Sequence, residues 1–158
     1  MVMHMVRLGM EVKQGRGYLY AIEYHIVWCV KYRHKVLKDE IAEFLKEVLV
    51  ETAILYKFRV ESLEVVEDHV HVLVSATPQH TIPNIVKILK GISARKLFLK
   101  FPQLKKKLWG GHLWNPSYFV STVSENLEAQ VKNYIQKQNA ESVLSHTNSY
   151  TQSRSLNQ

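Results

Sequence analysis

His69 and His71 flank a single valine in the run Asp68-His69-Val70-His71-Val72-Leu73-Val74. The alternation of valines with a second set of residues predicts a β-strand, whose side chains change face at every residue. Val70, Val72 and Val74 then share the core face, and His69, His71, Leu73 and Ser75 share the other. Two imidazoles two residues apart on one face can both reach an ion about 2 Å from each donor nitrogen. Such a pair can hang a divalent metal on a sheet; the same spacing also suits exposed or hydrogen-bonded strand histidines. Asp68 points away from the histidine face of a regular strand, so it can reach a metal only at a bend. Tyr134 and Gln138 stand four residues apart, on one side of a predicted helix. A tyrosine on an apolar stripe is commonly core. Beside a two-histidine metal strand, a phenol and an amide can instead supply a nucleophile and a third ligand.

Charge points to a polyanionic partner, with a formal net charge of +7 and a pI near 9.5. Lys31-Tyr32-Arg33-His34-Lys35 embeds an aromatic in a basic cluster, which can contact phosphates and stack on a base, or form a solvated turn. On a predicted second helix, Lys87, Lys90, Gly91 and Arg95 fall opposite the apolar stripe at 100° per residue. A glycine there costs helix stability but lets a phosphate backbone approach, or is a tolerated surface residue. The single cysteine, Cys29, excludes an internal disulfide framework and a multi-cysteine zinc site. No apolar run is long enough to span a bilayer, and the Met-rich start lacks the apolar region of a signal peptide. The expectation is a soluble cytoplasmic protein with no membrane partner.

These groups need a scaffold. Residues 1–17 read as a flexible leader, 18–140 as one domain and 141–158 as a polar tail. Tyr18 to Val30 predicts a strand. Residues 39–56 predict a helix, with Ile41, Phe44, Leu45, Val48, Leu49 and Leu55 at helical spacing and Asp39 near its start. Strands around Phe58–Val66 and at the histidine run follow so closely that they should pair antiparallel. The second helix starts near Thr81, a plausible N-cap, with Pro83 in its first turn and Ile85, Ile88, Leu89 and Ile92 as its buried stripe. Phe101-Pro102 ends it, and Lys105-Lys106-Lys107 adds basic charge. A turn-rich stretch with Trp109 and Trp114 leads to a short strand at Tyr118–Thr122. Thr122 with Glu125 fits a capping box that opens a helix to about Gln138, striped by Leu127, Val131, Tyr134 and Gln138. The order, strand-helix-strand-strand-helix-strand-helix, predicts an α+β fold: a ferredoxin-like or RRM-like antiparallel sheet with helices packed on it.

Five segments in this order resemble the single-tyrosine HUH transposases of the insertion sequence 200/605 family, from about Tyr18 to Gln138. His25-Ile26-Val27-Trp28 leading into Lys31-Tyr32-Arg33 resembles the family's opening strand and its basic exit. Asp68-His69-Val70-His71 matches the histidine–hydrophobic–histidine signature. Lys90-Gly91-Ile92-Ser93-Ala94-Arg95 is similar to the middle helix, and Leu113-Trp114-Asn115-Pro116-Ser117-Tyr118-Phe119 to the approach to the last strand. Tyr134-Ile135-Gln136-Lys137-Gln138 matches the tyrosine helix, where Glu is commoner at the position of Gln136.

The resemblance implies that His69, His71 and Gln138 hold Mg²⁺ or Mn²⁺ and that Tyr134 is the nucleophile. It implies a homodimer whose tyrosine helices serve the metal site of the other subunit. The substrate it implies is single-stranded DNA with imperfect hairpins near the element ends, cut through a 5′-phosphotyrosine linkage that leaves a free 3′-OH. Lys31, Arg33, Lys87, Lys90 and Arg95 are the candidate DNA contacts, and Asp68 a possible metal ligand or a partner of one. Two other readings stand beside this one. The chain could be a housekeeping relative acting on repeated palindromes, or a non-catalytic RRM-like single-strand binder, which calls for stacking aromatics where His69 and His71 stand.

Overall fold

The computed structural model describes residues 10–123, 129 and 131–138. The chain separates into two compact units, residues 13–124 and residues 1–12 with 125–158.

The larger unit begins with a hairpin, β1 (Lys13–Gly15) and β2 (Tyr18–Tyr20), paired antiparallel. Gly17 turns it with φ 83°, a conformation open to glycine at no steric cost. A side chain at Gly15 would collide with the Tyr18 ring. The strand expected over Tyr18–Val30 is therefore two. Tyr18–Tyr20 pairs back onto Lys13–Gly15, and β3 (Ile22–Cys29) begins after Ala21 in a different sheet.

The main sheet has the order β4-β5-β3-β6, with β4 at Arg59–Val66, β5 at His69–Ala76 and β6 at Phe119–Thr122. All its neighbours are antiparallel. Between β3 and β4 runs helix α1 (Asp39–Leu55), and between β5 and β6 run α2 (Ile82–Lys100) and the short α3 (Gln103–Lys107). This is the split β-α-β arrangement of a ferredoxin-like sandwich. One pairing irregularity lies between Val60 and Ser62, where Glu61 is the extra residue.

Both long helices pack on the valine face of the sheet. Val70, Val72 and Val74 are fully buried there with Ile26, Trp28, Leu45, Leu49, Ile85 and Leu89. Each such aliphatic contributes about 1.5–3 kcal/mol by leaving water. Leu55 is an exception to the expected α1 stripe and lies exposed at the helix end; Thr52 and Ala53 are buried instead. Thr81 caps α2 by accepting from the Asn84 N–H at 3.4 Å, with Pro83 in the first turn. The buried stripe of α2 is Ile85, Val86, Leu89, Ser93 and Leu97, so Ile88 and Ile92 flank it. Ser93 tolerates burial because its hydroxyl accepts from Trp114 Nε1 at 3.0 Å and donates to the Lys90 carbonyl at 3.1 Å. Among the described residues no helix is long and apolar enough to cross a membrane. Thr122 ends β6, while Glu125, its expected capping-box partner, lies outside the described residues, as does Leu127.

Candidate active site

β5 turns its valines to the helices, so His69 and His71 emerge on the opposite face. Their rings meet edge to face, with centroids 4.8 Å apart. Register adds a third imidazole. Val27 on β3 pairs with His71, and His25, two residues earlier, comes from that strand to stack on His71 at 5.5 Å with planes 23° apart. Sequence alone marks His25 as a strand residue without a site role. Its signal was the alternation that places His25 and Val27 on one face, but the β3–β5 register was needed to read it.

Asp68 is in the turn before β5, outside the strand, and its carboxylate has two partners. Oδ1 accepts from His69 Nδ1 at 2.6 Å, while Oδ2 accepts from Arg33 Nε at 3.0 Å and lies 3.0 Å from Arg33 Nη2. The His69 hydrogen bond, with Arg33 beside it, outweighs desolvation and holds the Asp68 carboxyl below the usual carboxylate range. His71 is pushed below the ordinary imidazole value by burial first, then by His69 and His25; Glu64 opposes the shift. It is therefore a neutral imidazole at neutral pH, with a lone pair to give.

This donor set fits a divalent cation. His69, donating through Nδ1, keeps Nε2 free, the arrangement in which a carboxylate orients a metal-binding histidine. Among the described residues no three His, Cys, Asp or Glu side chains group as a metal site. The two β5 imidazoles are thus a partial set that calls for a donor of another kind, such as an amide oxygen.

The family described as "Transposase IS200 like" matches residues 18–138. The chain belongs to the IS200-like transposase family. This transposase is 57% identical over 133 residues to the ISDra2 transposase TnpA of Deinococcus radiodurans, covering 84% of this chain and 95% of that one. It is 30% identical over 116 residues to the transposase for insertion sequence element IS200 of Salmonella typhimurium, covering 73% and 76%. A solved Deinococcus radiodurans R1 protein described as a transposase superposes with TM-score 0.68 at 55% identity, over 80% of this chain and 97% of that one. A REP-associated tyrosine transposase bound to a REP hairpin shares the fold at TM-score 0.51 and 11% identity, over 76% and 67%.

The fold of the transposase brings His69, His71, Asp68 and Arg33 together. Lys87 and Arg95 are exposed on α2, in the helical layer on the far side of the sheet from the histidines. Lys90 is turned inward: its ammonium donates to the carbonyls of Asn115 at 2.6 Å and Ser117 at 3.2 Å, and burial lowers its pKa. Lys90, a candidate DNA contact by its place on the basic face of α2, is engaged in this structure by those two carbonyls. Arg33 is likewise engaged by Asp68, although its side chain stays largely exposed. Lys31 lies over the exposed Tyr32 ring at 5.4 Å. Tyr134 and Gln138 stand one turn apart and exposed in the helical residues 131–138 of the other unit.

Proposed function

We propose that this transposase cuts and rejoins single-stranded DNA at the ends of an insertion sequence, by attack of Tyr134 on a phosphodiester. The observation that carries the reading is the β5 pair: His69 with Nε2 left free by its bond to Asp68, next to a neutral His71. In it, His69 and His71 hold Mg²⁺ or Mn²⁺ with the Gln138 amide as third donor. When bound, such a cation withdraws electron density from a phosphate oxygen and offsets charge developing at phosphorus.

Tyr134 loses its proton and its oxygen bonds to phosphorus, while the bond to the departing 3′ oxygen breaks. The products are a 5′-phosphotyrosine linkage and a free 3′-OH. The ester is conserved, so another 3′-OH can reverse the step and join new ends with no nucleotide cofactor. Each tyrosine retains one DNA end, which makes a homodimer with sites shared between subunits the working unit. Hairpins near the element ends mark the strand to be cut, and Lys87 and Arg95 contact its phosphates.

The test uses 3′-labelled single strands from both flanks of the gene, with Mg²⁺ or Mn²⁺ and a denaturing gel. Wild-type protein should carry the label as a covalent adduct. Tyr134→Phe should give none while still shifting the strand in a native gel, and His69→Ala and His71→Ala should each reduce the adduct at least a hundredfold. An adduct undiminished in Tyr134→Phe refutes the nucleophile. Binding without any adduct by the wild type favours the RRM-like binder.

A further inference from the structure

Arg33 sits in a strained stretch. Tyr32 has φ 58° and Arg33 φ 54°, two consecutive side-chain-bearing residues in the left-handed region. That region is sterically disfavoured for each, and such strain persists only where the surroundings over-determine it. Here four backbone bonds do so. Val30 N–H donates to the Asp68 carbonyl at 2.9 Å and Leu37 N–H to that of Glu67 at 2.9 Å, which fastens both ends of the loop to the turn before β5. Lys31 N–H donates to Leu113 at 2.8 Å and Arg33 N–H to Val30 at 2.8 Å.

The consequence is a guanidinium set against one carboxylate oxygen. Arg33 Nε and Nη2 both lie 3.0 Å from Asp68 Oδ2, which leaves Oδ1 for His69 Nδ1 at 2.6 Å. A carboxylate only accepts, so the neutral His69 ring must carry its hydrogen on Nδ1 and keep Nε2 bare. Without a cation on Oδ2, the Asp68 side chain has no second anchor, and a neutral imidazole is free to place its hydrogen on either nitrogen.

We propose that Arg33 is a positioning residue for the cation site: through Asp68 it fixes the tautomer and ring direction of His69. The inference rests on the reading of His69 as a cation ligand. It assigns the strained turn to the site and takes Arg33 out of the DNA footprint. The exposed Tyr32 and the half-buried Lys31 beside it are left as the DNA contacts of that loop.

The experiment uses full-length protein labelled with ¹⁵N in histidine, first free of metal and at a pH above the imidazole titration. Two-bond ¹H–¹⁵N correlations report which nitrogen of His69 carries the hydrogen. Wild type should show Nδ1–H with a bare Nε2. Arg33→Gln should show a mixture, and its Mn²⁺ affinity, read by electron paramagnetic resonance, should fall about tenfold. In an Asp68→Ala background, Arg33→Gln should change neither readout further. Arg33→Lys, the safer variant for folding, should give an intermediate ratio. A wild-type tautomer in both Arg33 variants overturns the role. Unchanged Mn²⁺ affinity in His69→Ala would instead sink the cation reading and leave the tautomer result standing, so the two failures are separable.

Discussion

Asp68 accepts on both sides, from His69 and from Arg33, and its charge state therefore feeds directly into stability. Its folded pKa is depressed, so its contribution to stability is fully present above the ordinary carboxylate range and is lost as pH falls through the folded value. The stability difference between wild type and Asp68→Asn, followed by denaturant midpoint, should be largest near neutrality and shrink on acidification below that range. A difference independent of pH would show that the carboxylate charge contributes nothing. Asp68 was legible in the sequence as a residue that needs a bend to reach the histidine side, and it lies at one. Arg33 was not legible as its partner. The pairing depends on left-handed backbone at Tyr32 and Arg33, which neither residue type favours. The histidine pair was the reverse case, since strand alternation is a local property. His25 lay between, visible as a strand residue but tied to His71 by a register that local sequence does not state.

At the scale of the element, α2 shows how a modest rotation changes residue roles. Placed at about 100° per residue, its buried stripe of Ile85, Val86, Leu89, Ser93 and Leu97 is centred roughly 70° from Ile85. The isoleucines with Leu89 alone suggest a stripe of Ile85, Ile88, Leu89 and Ile92. Val86 and Leu97 move it, at about 100° and 120° from Ile85, and Ser93 lies with them, polar by type yet buried because Trp114 reaches it from 21 residues away. On the observed axis Lys90 borders the buried face and reaches the Asn115–Ser117 turn, while Lys87 lies well outside it. The two lysines should therefore separate cleanly. Lys90→Met leaves two carbonyls without that donor and should cost about 1–3 kcal/mol, seen as a lower denaturant midpoint. Its slope of log K against log salt for hairpin DNA should match wild type. Lys87→Ala should keep the midpoint and lose roughly one unit of slope. A reduced slope in Lys90→Met with an unchanged midpoint would return that ammonium to the DNA.

For the whole molecule, the proposed function makes the source of the tyrosine, the same chain or a second copy, open to experiment. His69 and His71 belong to the unit of residues 13–124, whereas Tyr134 and Gln138 belong to the other. Within residues 131–138, Val131 and Ile135 stand four apart and are exposed with Tyr134, so this helix shows apolar surface suited to a partner. In the proposed reaction one tyrosine holds one DNA end while a mobile element has two, so two copies that each lend a helix to the other would keep both ends in one assembly. Tyr134→Phe lacks the proposed nucleophile but keeps the histidines; the double variant His69→Ala, His71→Ala lacks the ligands but keeps the tyrosine. Neither should form adduct alone. If sites are assembled across the dimer, a hybrid has one complete site, and an equal mixture should recover about a quarter of wild-type adduct once subunits have exchanged at random. The estimate follows from half the dimers being hybrid with one of two sites intact, provided the variants still associate. Exchange should be followed in the same samples with two affinity tags. Full exchange with no adduct would rule out assembly across the dimer and leave each tyrosine to its own chain's histidines.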